Sequence, residues 1–386
     1  MRSANKIFVV LVIVGLLICL AAAILLPNDI NTYENRLAYK MPSPTFRGFV
    51  NNEFQNGVEL AMTDQFPLSS KFKKAYNLSN TLYITQSVDR YVEANPNKYI
   101  KYKSINFFGE DRLLYNPVEL ENIKGNLDIK IENLNQTFNN NSTVDFYVYF
   151  IEKDTDINFE TNIKQGLKEY VFDGLQLPDN RKISFDINSI EEFKNYFYST
   201  DHHWNHRGSY KGYCDVITAL KPGDKLIEAK REVFIAQGFS GSKNSSLGYH
   251  FFSEDFYAYE FDYPEMSIEI NGEQATDYGN QKEFFSDARN DITYGAFYGN
   301  DDGEIIFEMD SSNDENILII GESFDNAILK LIATHFNKTC SIDLRYYESV
   351  MKKPFNIQSY IMEHEIDKVL LIGNIDYFSS GDFILE

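Results

Sequence analysis

Two segments of this chain hold the residue types of a nucleophilic acyl-transfer site. Ser199-Thr-Asp-His-His-Trp-Asn-His-Arg-Gly208 contributes Asp201 and His203, and Ile319-Ile-Gly-Glu-Ser-Phe-Asp325 contributes Ser323. A serine hydroxyl is a weak nucleophile until a histidine takes its proton, and a carboxylate must orient that histidine. An Asp-x-His spacing on an extended segment can put both side chains on one side. The first segment also holds three of the six histidines and the single tryptophan. Two plainer readings compete. Ser323 could merely cap a helix, and three clustered histidines with Asp201 could ligate a metal. No second cluster of carboxylates and cysteines supports a metal, so the sequence predicts none, and acyl transfer by such a site needs no cofactor.

The elements around these segments must bring them together. Asn316-Ile-Leu-Ile-Ile320 reads as a buried strand, and residues 326–336 as the helix after it. Ser323 would then stand past the carboxyl end of a strand, where ligands sit in open α/β sheets. The helix N-terminus and the serine's own N–H would favour a developing oxyanion. Further strands are expected at 341–345 and 368–372, with a helix over 357–364 between them. Upstream, 145–151 is a strand, helices are expected over 117–140, 165–174, 190–198 and 209–220, and 105–114 reads as two strands around a Gly-Glu-Asp turn. This alternation implies an α/β fold with a parallel sheet and helices on its faces. Short alternating runs such as Tyr257-Ala-Tyr-Glu-Phe261 make 225–300 a β-rich insertion.

Composition narrows the partners. The net charge of −21 over 386 residues leaves nothing to neutralise a phosphate backbone, which excludes nucleic acid. It also disfavours a tightly held anionic polymer. A neutral glycan or a small ester fits better. Aromatics are 15% of the chain, and most are expected in the core. Of the three cysteines, Cys19 lies in an apolar run, and a Cys214–Cys340 disulfide is permitted without being demanded.

Residues 7–26 carry no charge, and a helix of that length crosses a hydrocarbon layer of about 30 Å. Arg2 and Lys6 precede it, so residues 1–6 are expected in the cytoplasm and the rest outside. A cleaved signal peptide is the alternative; its apolar core is usually shorter. The expectation is a single-pass membrane anchor with an extracellular catalytic part. Residues 27–99 follow as a tether, with Pro27, Pro42 and Pro44, and one or two helices over 49–90 broken at Pro67. Residues 100–386 form the catalytic domain.

Thr200-Asp-His-His-Trp-Asn205 strongly resembles the signature of the bacterial DHHW protein family. That family is similar to the alginate O-acetylation proteins, whose Asp-Thr-His-Trp motif precedes a Gly-Asp-Ser block on a circularly permuted SGNH-hydrolase-like domain. Here too the Asp-x-His block precedes the serine block. Asp64-Gln-Phe-Pro67 and Asn106-Phe-Phe-Gly-Glu-Asp-Arg-Leu113 match weaker family blocks. The resemblance implies Ser323 as nucleophile, His203 as base and Asp201 as the orienting carboxylate. His202 replaces the threonine of the alginate proteins and receives no catalytic role. Glu322 stands where the family usually has aspartate.

In SGNH folds, strands after the serine supply oxyanion donors. Asn374 is the candidate here, against the plainer reading of a turn-forming asparagine. Arg345 either contacts substrate or pairs with a surface acid, and Tyr377 is a weaker candidate. Trp204 either buttresses His203 or stacks on a sugar. The resemblance further implies O-acetyl transfer to a cell-surface or extracellular polysaccharide beside a multi-pass membrane acyltransferase. A carbohydrate acetylesterase with the same triad and a non-catalytic glycan-binding subunit are the alternatives.

Overall fold

The computed structural model describes residues 2–25, 27, 30–31, 36–66, 71–72, 88, 90–109, 111–247, 252–279, 281–286, 292–309, 314–380 and 385. The chain divides into two compact units, Met1–Ala94 with Ser242–Phe251, and Asn95–Gly241 with Phe252–Glu386. A short piece of the expected insertion thus belongs with the N-terminal unit.

In the first unit the apolar run lies in a helix, Arg2–Leu25, with Phe8, Val9, Val10, Val12 and Ile13 exposed. Several of its side chains, Cys19 included, lie outside the described residues. Over the described residues no helix is long and apolar enough to cross a membrane. The anchor expected from the sequence is therefore not established by the fold. A second helix spans Glu53–Gln65. Asp64 near its end accepts the Tyr39 N–H at 2.8 Å, and the Gln65 amide donates to the Tyr39 carbonyl at 3.0 Å. These two side chains pin the proline-containing segment expected to be a tether. The expected break at Pro67 and most of the helix beyond it fall outside the described residues.

The second unit is built on a sheet of eight strands, flanked by helices. Across the sheet the strands run Glu273–Ala275, Met266–Ile270, Glu304–Met309, Lys338–Ile342, Asn316–Ile320, Lys368–Gly373, Asp145–Ile151, Lys182–Phe185. The last five are mutually parallel, and the first three add on antiparallel. The fold is thus mixed α/β with a large central sheet. The parallel strands read as unbroken apolar runs because both faces are covered. Ile317, Ile319, Leu370 and Ile372 enter one core, and Leu318, Ile320, Val369 and Leu371 enter the other. Each such side chain contributes about 1.5–3 kcal/mol by leaving water.

The order of these strands makes the site. Asn316–Ile320 pairs with Lys338–Ile342 on one side and Lys368–Gly373 on the other. The chain steps to one neighbour and then crosses to the opposite one, so the strand order reverses at Asn316–Ile320. A crevice opens beyond the carboxyl ends at such a switch point, and Ser323 is three residues past Ile320.

Several expectations need correction. The 225–300 region does not form one separate β insertion. Arg231–Phe239 and Glu254–Glu260 pair as a two-stranded ribbon, whereas Met266–Ile270 and Glu273–Ala275 extend the central sheet. Alternation reports a half-buried strand but not the sheet it joins. The helix expected over 326–336 splits into a 3-10 turn, Asp325–Ala327, and a short helix, Leu329–Ala333. All residues from Ile328 to Ala333 are buried, so packing on every side replaces a helical stripe. The strand expected at 341–345 is Lys338–Ile342, which leaves Arg345 in the turn beyond it. Around Asn106-Phe-Phe108 the three-stranded meander Ile100–Tyr102, Ile105–Phe108, Arg112–Leu114 contains the two expected strands and one more. Cys214 and Cys340 are both free.

Candidate active site

The segment from Phe197 to Asn205 is a closed loop. Phe197 and Trp204 form an isolated antiparallel bridge, and the Asn205 N–H donates to the Tyr196 carbonyl at 2.7 Å. Beyond the loop, helix His206–Leu220 begins at once. The Asn205 side chain caps it, accepting the N–H groups of Arg207 and Gly208 at 2.9 and 3.1 Å. Capping of this kind stabilises a helix start by about 1 kcal/mol. At the loop's tip the His203 N–H donates to Asp201 Oδ1 at 3.0 Å. That turn folds the aspartate back toward its own histidine.

Distant residues hold this loop. Glu254, at the start of the second ribbon strand, accepts the Ser199 and Thr200 N–H groups at 2.9 and 2.8 Å and the Thr200 hydroxyl at 2.9 Å. Thr200 Oγ1 in turn accepts the Gly241 N–H at 3.1 Å. Arg112 donates to the carbonyls of Phe197 and Tyr198 at 3.3 and 3.0 Å. Burial raises the Glu254 carboxyl above its usual range, while the N–H groups it accepts pull the other way. Gly241 lies against Asp201: a Cβ there would stand 2.3 Å from the aspartate's Cβ and Oδ2.

On this frame the side chains line up. His203 Nδ1 lies 2.6 Å from Asp201 Oδ1, and His203 Nε2 lies 2.7 Å from Ser323 Oγ. With Nδ1–H donating to the Asp201 carboxylate, Nε2 is left to accept the serine proton. Asp201 and His203 are buried and Ser323 is partly exposed. The imidazole lies flat on the Tyr294 ring, centroids 3.8 Å apart with an interplanar angle of 3°, and packs against Phe324 at 5.0 Å. Gly321 is required by close approach, since a Cβ there would meet Asp325 Oδ2 at 2.5 Å and Ile372 Cγ2 at 2.7 Å. Burial first, and Asp343 next, push the buried Asp325 carboxyl well above the usual carboxylate range, with Arg345 opposing. Burial also raises Glu322, again against Arg345.

The remaining candidates are placed as follows. Trp204 is fully buried, packed on Phe185 at 5.8 Å and Phe324 at 5.6 Å. It is a buttress under the site, and the sugar-stacking alternative is corrected, because no face of the indole reaches solvent. Tyr377 is likewise buried, with the Lys130 amine 4.7 Å over its ring, and cannot touch a substrate. The Asn374 side-chain oxygen Oδ1 caps helix Ile375–Ser379, accepting the Asp376 N–H at 2.8 Å. That is the turn-forming role weighed against an oxyanion donor. Arg345 is clamped by Asp343, with Nε 2.9 Å from Oδ1 and Nη2 2.5 Å from Oδ2, and lies 3.4 Å from Asp301. It pairs with acids and sits near Glu322 rather than standing free.

Asp201, His202 and His203 offer ligand atoms close enough for a metal ion. Both His203 ring nitrogens, however, already face Asp201 and Ser323, so a metal would have to break the line. The third histidine, His206, is used differently: its Nε2 lies 2.6 Å from Glu232 on the ribbon. Sequence reasoning missed Glu254, Arg112, Gly241 and Tyr294. All four lie far from the motif along the chain; Arg112 falls in the Asn106–Leu113 family block, and no local pattern marks the other three.

PatB1 of Bacillus cereus shares the fold at 22% identity, over 72% of this chain and 97% of that one, with a TM-score of 0.55. Its structure with a sulfonyl adduct superposes as well, with a TM-score of 0.54 at 21% identity over 72% of this chain and 95% of that one. A DHHW family protein from Eubacterium siraeum is 16% identical over 73% of this chain and 94% of its own, with a TM-score of 0.52. No curated protein matches in sequence. The resemblance read from Thr200–Asn205 holds: over residues 179–342 this chain matches the DHHW protein family.

Proposed function

We propose that this protein is an exported, membrane-anchored O-acetyltransferase with a permuted SGNH-like site, acting on a cell-surface or extracellular polysaccharide. The observation that carries the reading is the hydrogen-bonded line Asp201–His203–Ser323, at 2.6 and 2.7 Å. Ser323 Oγ attacks the acetyl carbonyl carbon of an ester donor while His203 Nε2 takes its proton. The tetrahedral intermediate collapses, the donor's alcohol leaves with the proton from His203, and an acetyl-serine remains. A hydroxyl of the polysaccharide then attacks that ester and gives its proton to His203. The new sugar acetate departs as His203 returns the proton to Ser323 Oγ, and the free serine is regenerated. Asp201 keeps its charge throughout and balances the imidazolium that forms in each half-reaction. The Ser323 N–H is the first oxyanion donor.

The helix Arg2–Leu25 is the membrane anchor in this reading, with the second unit on the outer face. A multi-pass membrane acyltransferase is the partner that would deliver acetyl groups. The excess of negative charge favours a neutral acceptor over an anionic one.

The test uses the full chain in detergent, with a chromogenic acetyl ester as donor and neutral oligosaccharides as acceptors. Wild type should release chromophore and leave acetyl on the sugar by product mass, and Ser323→Ala should do neither. A sulfonyl fluoride gives a second readout, since a chain of this fold has been seen with a sulfonyl adduct. It should add mass at Ser323 and stop turnover. Chelator should change nothing. Acetate as sole product would convert the reading to an esterase, and equal turnover by Ser323→Ala would remove the serine from the chemistry.

A further inference from the structure

The ribbon formed by Arg231–Phe239 and Glu254–Glu260 has an outer face that its strand chemistry does not explain. Phe256 and Ala258 point into a core cluster with Ile235 and Phe297, so by the two-residue period Tyr257 and Tyr259 point the other way. A solvated strand face is normally polar. Here Phe234 is 47% exposed and Tyr257 36% exposed, and the two are direct cross-strand partners with ring centroids 5.6 Å apart. The rings continue along the face and past the strand's end. Tyr259 and Phe261 are half-buried, 6.4 Å apart, and Tyr210 from helix His206–Leu220 lies 5.6 Å from one and 5.7 Å from the other. Tyr210, Tyr259 and Phe261 also border a small void, of about 10 Å³, together with Ala327 and Leu331 in the segment after Ser323.

The basic groups beside this stripe are each matched by an acid, and Asp255, exposed two residues before Tyr257, adds one negative charge. Glu232 meets His206 at 2.6 Å and Arg207 at 3.0 Å, Arg231 meets Glu260 at 2.5 Å, and Lys230 meets Asp262 at 2.5 Å. In a chain of net charge −21 this face, with its basic groups paired and a single added acid, suits an uncharged occupant better than an anionic one. Ring faces bordered by fixed polar groups match the apolar faces and hydroxyl edges of sugar rings. We infer that the outer face of the ribbon, through Phe234, Tyr257, Tyr259, Phe261 and Tyr210, is a docking track for a neutral polysaccharide chain. The inference rests on the acetyl-transfer reading for its substrate class: the track would hold the acceptor polymer beside the segment that carries the nucleophile. The plainer account is that the rings only stabilise the ribbon as cross-strand pairs.

Native gel electrophoresis of the full chain in detergent separates the two. Gels are cast with hydroxyethylcellulose, soluble starch, galactomannan or, as the charged counterpart, carboxymethylcellulose. At least one neutral polymer should retard the protein, and carboxymethylcellulose should retard it less than hydroxyethylcellulose. Phe234→Ala and Tyr257→Ala should each weaken retention at least fivefold, as expected for truncation of a ring that anchors a ligand. Tyr257→Phe, which keeps the ring, should retain it. Thermal midpoints of the variants tell lost binding from lost fold. Retention by no neutral polymer, stronger retention by the anionic one, or equal retention by folded Ala variants would overturn the track. The acetyl-transfer reading fails separately, in the ester assay of Ser323→Ala, whose retention should equal that of wild type.

Discussion

The loop that carries Asp201 and His203 and the turn that carries Ser323 meet across 2.7 Å, yet different forces hold them in place. The histidine loop is fixed by polar contacts from afar: Glu254 takes three donors, Arg112 gives two, and Gly241 admits the aspartate by having no side chain. The serine turn hangs from an apolar strand buried on both faces, at the point where the sheet order reverses. Around it gather carboxylates, Glu322, Asp325 and Asp343, with Arg345 as their counter-ion. One arm is held mainly by directed hydrogen bonds from distant residues, and the other mainly by packing of a strand buried on both faces. In the proposed reaction the base must keep its ring orientation within roughly 10–20°, which directional bonds supply. In the same reaction Ser323 needs chiefly a fixed backbone at the strand end, which topology supplies.

The largest effect should come from Gly241→Ala. Its Cβ would overlap Asp201, so the loop must shift, and a displacement of about 1 Å at the base costs roughly 10²-fold in turnover. The overpacking should cost about 1–3 kcal/mol of stability. Ester turnover and a melting curve on the same preparation check both. Turnover near wild type would mean that the loop yields easily, and the contrast between the arms would weaken.

Glu254→Ala should come next. It leaves two N–H groups and a hydroxyl without their acceptor, at about 1–3 kcal/mol for a buried unsatisfied group, and should lower kcat more than it raises KM. Glu254→Gln keeps an acceptor oxygen and should recover part of the loss. If Glu254→Ala lowers only the melting temperature, the carboxylate supports the fold and does not position the base.

Much of the serine arm was legible in the sequence, and little of what holds the histidine arm. Asn316–Ile320 and Lys368–Gly373 announce themselves as continuous apolar runs because they are covered on both faces, and Gly321 and Ser323 follow directly. Asp201 and His203 are two residues apart, so local spacing carries their pairing. Arg112 stands in the Asn106–Leu113 block, but its role and that of Glu254 appear only through the fold, since a single acid or arginine in a strand carries no signal of the loop it serves. The segment after Ser323 misled for another reason. Ile328 to Ala333 are buried all round, which erases the periodicity that would fix a helix's length. Trp204 and Tyr377 drew attention as aromatics near the motifs. Burial, which sequence does not report residue by residue, makes them packing.

A smaller effect should follow loss of the ring under the base. Tyr294 lies flat on His203 at 3.8 Å, and such aromatic contacts contribute about 0.5–1.5 kcal/mol beyond burial. Tyr294→Leu should cut kcat several-fold with KM little changed, and Tyr294→Phe, which keeps the ring, should sit near wild type. Equal losses in both variants would point to the hydroxyl instead of the stacked face.

The smallest and most diagnostic change is Asp325→Asn in the serine arm. Burial, with Asp343, Asp301 and Glu322 adding to it, raises the Asp325 carboxyl well above its usual value, while Arg345 opposes. In the unfolded chain the same carboxyl titrates near 3.9. The native state therefore binds this proton more tightly than the unfolded state does, and the group lowers stability as pH rises above about 4. An asparagine of the same shape cannot ionise and escapes that cost. The melting difference between variant and wild type should be close to zero at pH 4 and should grow with pH, reaching at least about 3 °C in the variant's favour at pH 8. A difference that does not vary with pH would mean that Asp325 is ionised and satisfied in the folded protein. The serine turn would then be held by polar contacts, as the histidine loop is, and the contrast between the two arms would disappear.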